Sequence, residues 1–292
     1  MEHQLWSEVQ RLIRELARPK RGCCDYSDGD IARTYYWAVV HDRPTAWACD
    51  SRNWPPHARR RPLPPPWTMS RRLRSPSVVA LLEALDRAVL QPADEPPLVH
   101  LLDGKPLPIG GCSKDRQAGY GRAAGGKAKG YKLHALVGSD GSLPVWRIAP
   151  MNKDERVMAR RLVRQAAIQG YVLADKNYDD NSLHAVCDTK GELQLLAPRR
   201  RGPGTGLGHR RHAAGRLRCI ERLEHPTSTF GRSLWAGRAA VERYFGNLTT
   251  FGGGLGPLPA WVRGHRRVRR WVQAKLVLNG LRMQLRQRTY VA

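Results

Sequence analysis

Over residues 3–16, apolar side chains recur every three to four positions. Leu5, Val9, Leu12 and Leu16 repeat, with Trp6 and Ile13 beside them, and this predicts an amphipathic helix. "SDGDIARTYYWAVVH" (27–41) predicts a second helix, with Ser27 and Asp30 in capping-box positions. A third starts near Ser77. Val78, Leu81, Leu82, Leu85 and Val89 point inward, and Pro76 starts or kinks it. Between the second and third, residues 51–68 hold too many prolines for helix or strand and read as a linker or basic arm. Residues 1–97 are thus expected to form an all-helical domain, closed by "QPADEPP".

At Leu98 the period changes. "LVHLLDGKPLPI" predicts a strand ending in Asp103. Residues 111–130 read as a loop rich in Gly and Lys, and 131–150 as a hairpin turning at "SDGS". "DERVMARRLVRQAAIQG" predicts a helix closed by Gly170. "VLA" (172–174) is an unbroken apolar run, so residues 171–175 read as a buried strand that leaves the core at Asp175. "SLHAVCDTK" predicts a helix and "ELQLLAP" a strand. This order gives a mixed α/β sheet flanked by helices, with a crossover after the hairpin. Residues 199–218 contain seven arginines and no acid and read as a basic loop. A helix is expected from Ser233 to Thr250. A long basic helix follows over 265–288, with Val268, Trp271, Leu278, Leu281 and Leu285 on one face. The second domain is therefore expected over 98–292.

Charge narrows the function. Lys and Arg number 50 against 25 Asp and Glu, a net charge of +25. Solubility does not require this, whereas a polyanionic partner does. Hydrophobic residues make up 41%, enough for a core, and no apolar run reaches the ~18 residues of a membrane span. The six cysteines form no CxxC pair, which argues against a zinc ribbon or disulfide framework and for a reducing cytoplasm. Cys23, Cys24, Cys49 and His41 fit no standard zinc spacing.

In so basic a chain, acids at the rim of a core draw attention. Asp103 and Asp175 sit at expected strand ends, and Glu242 lies in the helix "WAGRAAVERYFGNLT". Sites in open sheets form at the carboxyl ends of strands. Two strand-end carboxylates and a third from a helix offer hard oxygen donors of the kind Mg²⁺ or Mn²⁺ prefers. Two such ions could stabilise the attacking and leaving oxygens of phosphodiester chemistry.

Three blocks in order, "LLDGKPLPI", "ADKNYDD" and "RAAVERYFGNL", resemble those of the DDE transposases of bacterial insertion sequences. "YWAVVHDRPTAWACDSRNWP" and "MSRRLR" also look like the N-terminal domain of some of these proteins. The resemblance implies a ribonuclease-H-like catalytic domain after a DNA-binding helical one. It implies Asp103, Asp175 and Glu242 as catalytic metal ligands and Mg²⁺ or Mn²⁺, two ions, as cofactor. It further implies recognition of double-stranded DNA at the element ends, strand cleavage, and attack of the freed 3′-OH on target DNA. A dimer or larger oligomer on DNA, at the nucleoid and without a membrane, is expected. In the last block Trp235, Arg238 and Glu242 keep the family's spacing, but its usual Lys is Thr249 here.

Arg238 is expected to hold a phosphate or orient the carboxylate, and Trp235 to stack on a displaced base or pack in the core. Lys176 approaches phosphate or is simply solvated. Arg199, Arg200, Arg201, Arg210 and Arg211 are candidates for the DNA backbone. Lys132 and His134 share a strand face, and Asp154 is a helix-cap candidate. Two other functions remain open: a DNA-binding protein without catalysis, and a metal-dependent nuclease that does not join strands.

Overall fold

The computed structural model describes residues 2–19, 22, 25–58, 62–91, 95–110, 113–200, 211–225, 229–250 and 254–291. Ser27 starts the second helix as its sequence predicts: its Oγ accepts from the Asp30 N–H at 3.0 Å, and the Asp30 carboxylate accepts from the Ser27 N–H at 3.1 Å. Two orphan donors at the helix start are thereby satisfied.

One unit begins with α1 (Glu2–Leu16), α2 (Asp28–Val40), a short α3 (Thr45–Ala48), α4 (Pro66–Arg72) and α5 (Pro76–Leu90). Leu5, Val9 and Ile13 of α1 and the expected inward face of α5 are buried. The proline-rich stretch 51–68 is not a simple linker. Trp54 is 3% exposed, stacks on Trp37 at 4.7 Å and donates its indole N–H to the Ala48 carbonyl at 2.8 Å. α4 starts inside the stretch because Pro66 stands at its first turn, where the missing N–H costs nothing.

The other unit, Pro92–Gly246, is built on a sheet. Among the described residues its strands are β1 (Val99–Pro108), β2 (Gly119–Ala123), β3 (Gly126–Gly138), β4 (Val145–Pro150), β5 (Gly170–Leu173) and β6 (Leu193–Leu196). The order is β2-β3-β1-β5-β6, with β4 also pairing β3. β1 and β3 run antiparallel, while β1, β5 and β6 run parallel. Helices α6 (Glu155–Gln165), α7 (Asn181–Asp188), α8 (Ala214–Glu224), α9 (Phe230–Ala236) and α10 (Ala239–Thr250) follow in the chain. A core of Leu102, Leu136, Leu162, Val163, Val172, Leu183 and Leu195 lies on one sheet face.

Several expectations change. β1 does not end at Asp103: β3 pairs with it as far as Pro108, so Asp103 lies mid-strand. The 111–130 segment is not all loop, since β2 and the start of β3 form a hairpin there. α6 stops at Gln165, and Gly170 instead opens β5 at φ +85°. A Cβ at Gly170 would meet the Leu98 carbonyl oxygen, so both backbone angle and space require glycine. α8 begins at Ala214, inside the 199–218 segment expected to be a basic loop.

The chain then adds α11 (His265–Val291) to the first unit. The division expected at residues 97 and 98 put this helix with the sheet. Instead it packs against α1, α2 and α5. Val268, Trp271, Leu278 and Leu281 are buried, and so is Lys275, whose ammonium reaches the Asp42 carboxylate at 2.6 Å and the Val39 carbonyl at 3.1 Å.

Candidate active site

Strand register brings the first two acids together. β1 and β5 pair in parallel with Leu101 opposite Leu173, and two residues further along each strand stand Asp103 and Asp175. Paired positions in a parallel ladder project to the same face. β5 ends at Leu173, so the ladder stops just before the two carboxylates. Asp175 opens a 3-10 turn, accepting from the Asn177 N–H at 2.8 Å.

Arg238 connects the third acid. Its guanidinium lies 3.3 Å from the Asp103 carboxylate and 3.4 Å from the Glu242 carboxylate. The two acids thus share one cation, although Glu242 is 70% exposed while Asp103 is 22% exposed. The helix expected over 233–250 is broken: α9 ends at Ala236 and α10 begins at Ala239. Trp235, Arg238, Glu242 and Thr249 therefore do not share one continuous helical stripe. Arg238, just before α10, keeps its one-turn contact with Glu242 and also reaches Asp103. Trp235 is half-buried and donates its indole N–H to the Ala174 carbonyl at 3.0 Å, next to Asp175. Lys176 is exposed beside Asp175, and Thr249 is exposed near the end of α10.

Burial pushes the Asp103 carboxyl up to about 6. The Gly104 N–H and Arg238 pull it down, while Asp175 and Glu155 push it up further. Burial and the same carboxylates hold the Tyr178 phenol well above its usual range. Lys132 and His134 lie on the far side of β1 from Asp103, because their strand pairs Gly104 with His134 and Asp103 with Ala135. Lys132 is bound in an ion pair to Glu155. Burial and then Lys132 lower the buried His134 to about 4, so it is neutral at physiological pH.

The raised carboxyl has a measurable consequence. A folded carboxyl held at about 6 keeps a proton that the unfolded chain, at its ordinary value of 3.8, has already lost. Stability therefore falls as pH rises between those values. Asp103→Asn is expected to stabilise the metal-free protein at pH 7 by about 1–3 kcal/mol. The gain should vanish near pH 4, and melting curves of the two proteins at both pH values read it.

The basic segment is only partly free. Arg199 pairs with Glu224 at 3.1 Å, Arg216 with Asp179 at 2.7 Å, and Arg218 with Asp188 at 2.8 Å. The Arg200 and Arg211 side chains are exposed. Arg201 and Arg210 lie outside the described residues, as do Cys23 and Cys24. Sequence reading missed Asp179. It lies in the "ADKNYDD" block, but its buried partner Arg216 looks like one more member of a basic run.

Residues 94–257, more than half of the chain, match the family model described as the transposase DDE domain. The chain belongs to the DDE transposase family. No curated protein matches it. The six-stranded mixed sheet flanked by helices agrees with the ribonuclease-H-like fold of a DDE domain. Family membership carries transposase-type nuclease activity in general, and DDE transposases generally use divalent metal ions. DNA is the substrate the family implies, and no helix among the described residues is long and apolar enough to cross a membrane.

The acids suit such a metal in chemistry more than in present geometry. Asp103 and Asp175 supply hard oxygen donors on one face, and burial plus mutual repulsion make a cation favourable there. Among the described residues no three His, Cys, Asp or Glu side chains stand close enough to hold one ion. Glu242 contacts Arg238 rather than a second carboxylate.

Proposed function

We propose that the protein is an insertion-sequence transposase that binds the element's terminal repeats, cuts a DNA strand and joins the freed 3′-OH to target DNA. The observation that carries this reading is the convergence of Asp103 and Asp175 at the end of the β1–β5 ladder, with Arg238 bridging Asp103 to Glu242. In this reading the three acids are catalytic and would hold two Mg²⁺ or Mn²⁺ ions in the general family manner. Such ions, when bound there, would polarise the reacting phosphate and activate a water.

The chain's own residues supply the rest. A guanidinium between two carboxylates offsets part of their charge before DNA arrives. When the strand enters, Arg238 transfers its fork of donors to a phosphate and frees Glu242 to turn inward. Lys176, exposed next to Asp175, holds an adjoining phosphate. Trp235, fixed through Ala174, braces the turn that carries Asp175 and offers its remaining face to a displaced base. The protein acts at the bacterial nucleoid as a dimer or larger assembly on DNA.

The test uses a supercoiled plasmid carrying the DNA that flanks the gene. Nicked and joined products are expected with Mg²⁺ and none with EDTA. Nicking without joining would favour a nuclease, and binding without either would favour a DNA-binding protein.

The backbone contacts are tested separately. Arg200→Ala and Arg211→Ala should each reduce the slope of log K against log salt by about 0.9. Arg199→Ala should act mainly on stability, because that side chain already serves Glu224. Unchanged slopes for Arg200→Ala and Arg211→Ala would remove this segment from the DNA interface. Arg201 and Arg210, outside the described residues, are proposed as further contacts to the DNA backbone.

A further inference from the structure

The hairpin of β2 and β3 has two unlike faces. On one, Gly119 and Gly121 press so closely on Met151 and Asn152 that an added Cβ would collide with them. That face is built from glycines and alanines, whose small size lets it sit tight against its neighbours. On the other face, register sets Tyr120 opposite Lys129 and Arg122 opposite Lys127. Directly opposed residues of an antiparallel pair point the same way, as do residues two apart. One aromatic ring and three cations therefore share one surface.

Tyr120 is 57% exposed, unusual for so large a side chain, and it organises the cations around it. The Lys127 ammonium stands 5.8 Å and the Lys129 ammonium 6.0 Å from its ring centroid. Lys129 also donates to the Ser113 carbonyl at 2.8 Å. Arg122 and Lys127 are exposed and form no ion pair among the described residues. Residues 119–138, which include both strands, contain no acid.

The surface is aligned with the candidate site. Asp103 pairs with Ala135, and Lys129 lies six residues back along β3, an even number, so it projects to the same sheet face. Six residues of strand span about 20 Å. A DNA strand rises about 3.4 Å per nucleotide, so this corresponds to roughly six nucleotides.

We propose that the outward face of the β2–β3 hairpin, with Tyr120, Arg122, Lys127 and Lys129, is a docking surface for the phosphate backbone of DNA about six nucleotides from the phosphate that is cut. The distance rests on the proposed cutting role of Asp103, whereas the docking itself does not. The small-residue face keeps the hairpin rigid, Tyr120 holds the lysines in place, and Arg122 and Lys127 make the free phosphate contacts.

The experiment measures binding to a duplex of about 40 base pairs by fluorescence anisotropy over a salt series in EDTA, where no strand is cut. Losing two contacts in Arg122→Ala/Lys127→Ala should lower the slope of log K against log salt by about 1.8. Lys127→Gln should give about half of that and serves if the double variant folds poorly. A pre-cut end trimmed to about three nucleotides should bind wild type and variant alike, while one of about twelve should separate them. Equal slopes on the long duplex would overturn the proposal, and a difference that persists on the trimmed end would overturn the spacing. A wild-type protein that shows the hairpin-dependent slope yet never nicks DNA in Mg²⁺ would sink the transposase reading and leave the docking surface standing.

Discussion

Asp103→Asn, Asp175→Asn and Glu242→Gln are each expected to lower nicking and joining by about a thousandfold or more while duplex affinity stays within about twofold. The amides keep the shape of the acids and lose the charge that attracts a divalent cation. Cutting and joining should fail together, because both need the same stabilised oxygens. Glu242→Gln is the most informative of the three. Its carboxylate is 70% exposed, and it meets Arg238 in an ion pair at the start of α10 rather than through a bond within the sheet. Folding of each variant is checked by melting, and activity by cleavage of the plasmid and strand transfer of a pre-nicked end. A folded Glu242→Gln protein that cuts at the wild-type rate would exclude Glu242. The acids of "RCIERLEH", Glu221 and Glu224, would be the next to test.

Breaking the Asp179–Arg216 pair should give the largest change in stability. The two side chains are 2% and 8% exposed and meet through two hydrogen bonds of 2.7 and 2.8 Å. Removing one partner of a buried pair leaves the other uncompensated and costs about 3–5 kcal/mol. Arg216→Ala should therefore melt roughly 10 °C below wild type. Burial alone would push the Asp179 carboxyl up. Hydrogen bonds from Arg216, His184 and the Arg200 N–H hold it well below the usual carboxylate range. Its contribution is then fully present above the ordinary carboxyl value of about 4 and is lost as pH falls toward the depressed one. Wild type and Arg216→Ala should converge in acid. A difference in melting temperature that stays constant down to pH 2 would separate the loss from this carboxylate.

The parts that the sequence revealed follow from local rules. Period and capping chemistry identified α1, α2 and α5, and the apolar run before Asp175 identified β5. Long-range pairing was not legible in the same way. Nothing local in "LLDGKPLPI" says that β3 pairs with β1 beyond Asp103, and so a mid-strand acid reads as a strand-end acid. Gly119 and Gly121 look like loop glycines until Asn152 and Met151 are seen against them. The break at Gly237 and Arg238 was hidden by good helical spacing on either side. Arg238 consequently reads as a neighbour of Glu242 alone, when it also reaches Asp103, 135 residues earlier in the chain. The acids themselves were legible because they are scarce; the ion pairs that bind Arg199, Arg216 and Arg218 were not, because arginine is abundant.

The place of α11 bears on how the protein is made. A ribosome releases α1 to α5 first, but the helix that covers them emerges only after the entire sheet unit. Until then the sites that receive Leu276, Leu278 and Leu281 have no occupant, and the Asp42 carboxylate lacks its ammonium. A chain interrupted before His265 should thus carry a finished sheet and an unfinished first unit. Limited proteolysis of such a chain should cleave α1 to α5 rapidly and spare Pro92–Gly246. Equal resistance of both parts would show that the early helices close without their late partner. If cleavage is selective, a gene copy broken before His265 would yield a folded sheet unit without a closed helical one.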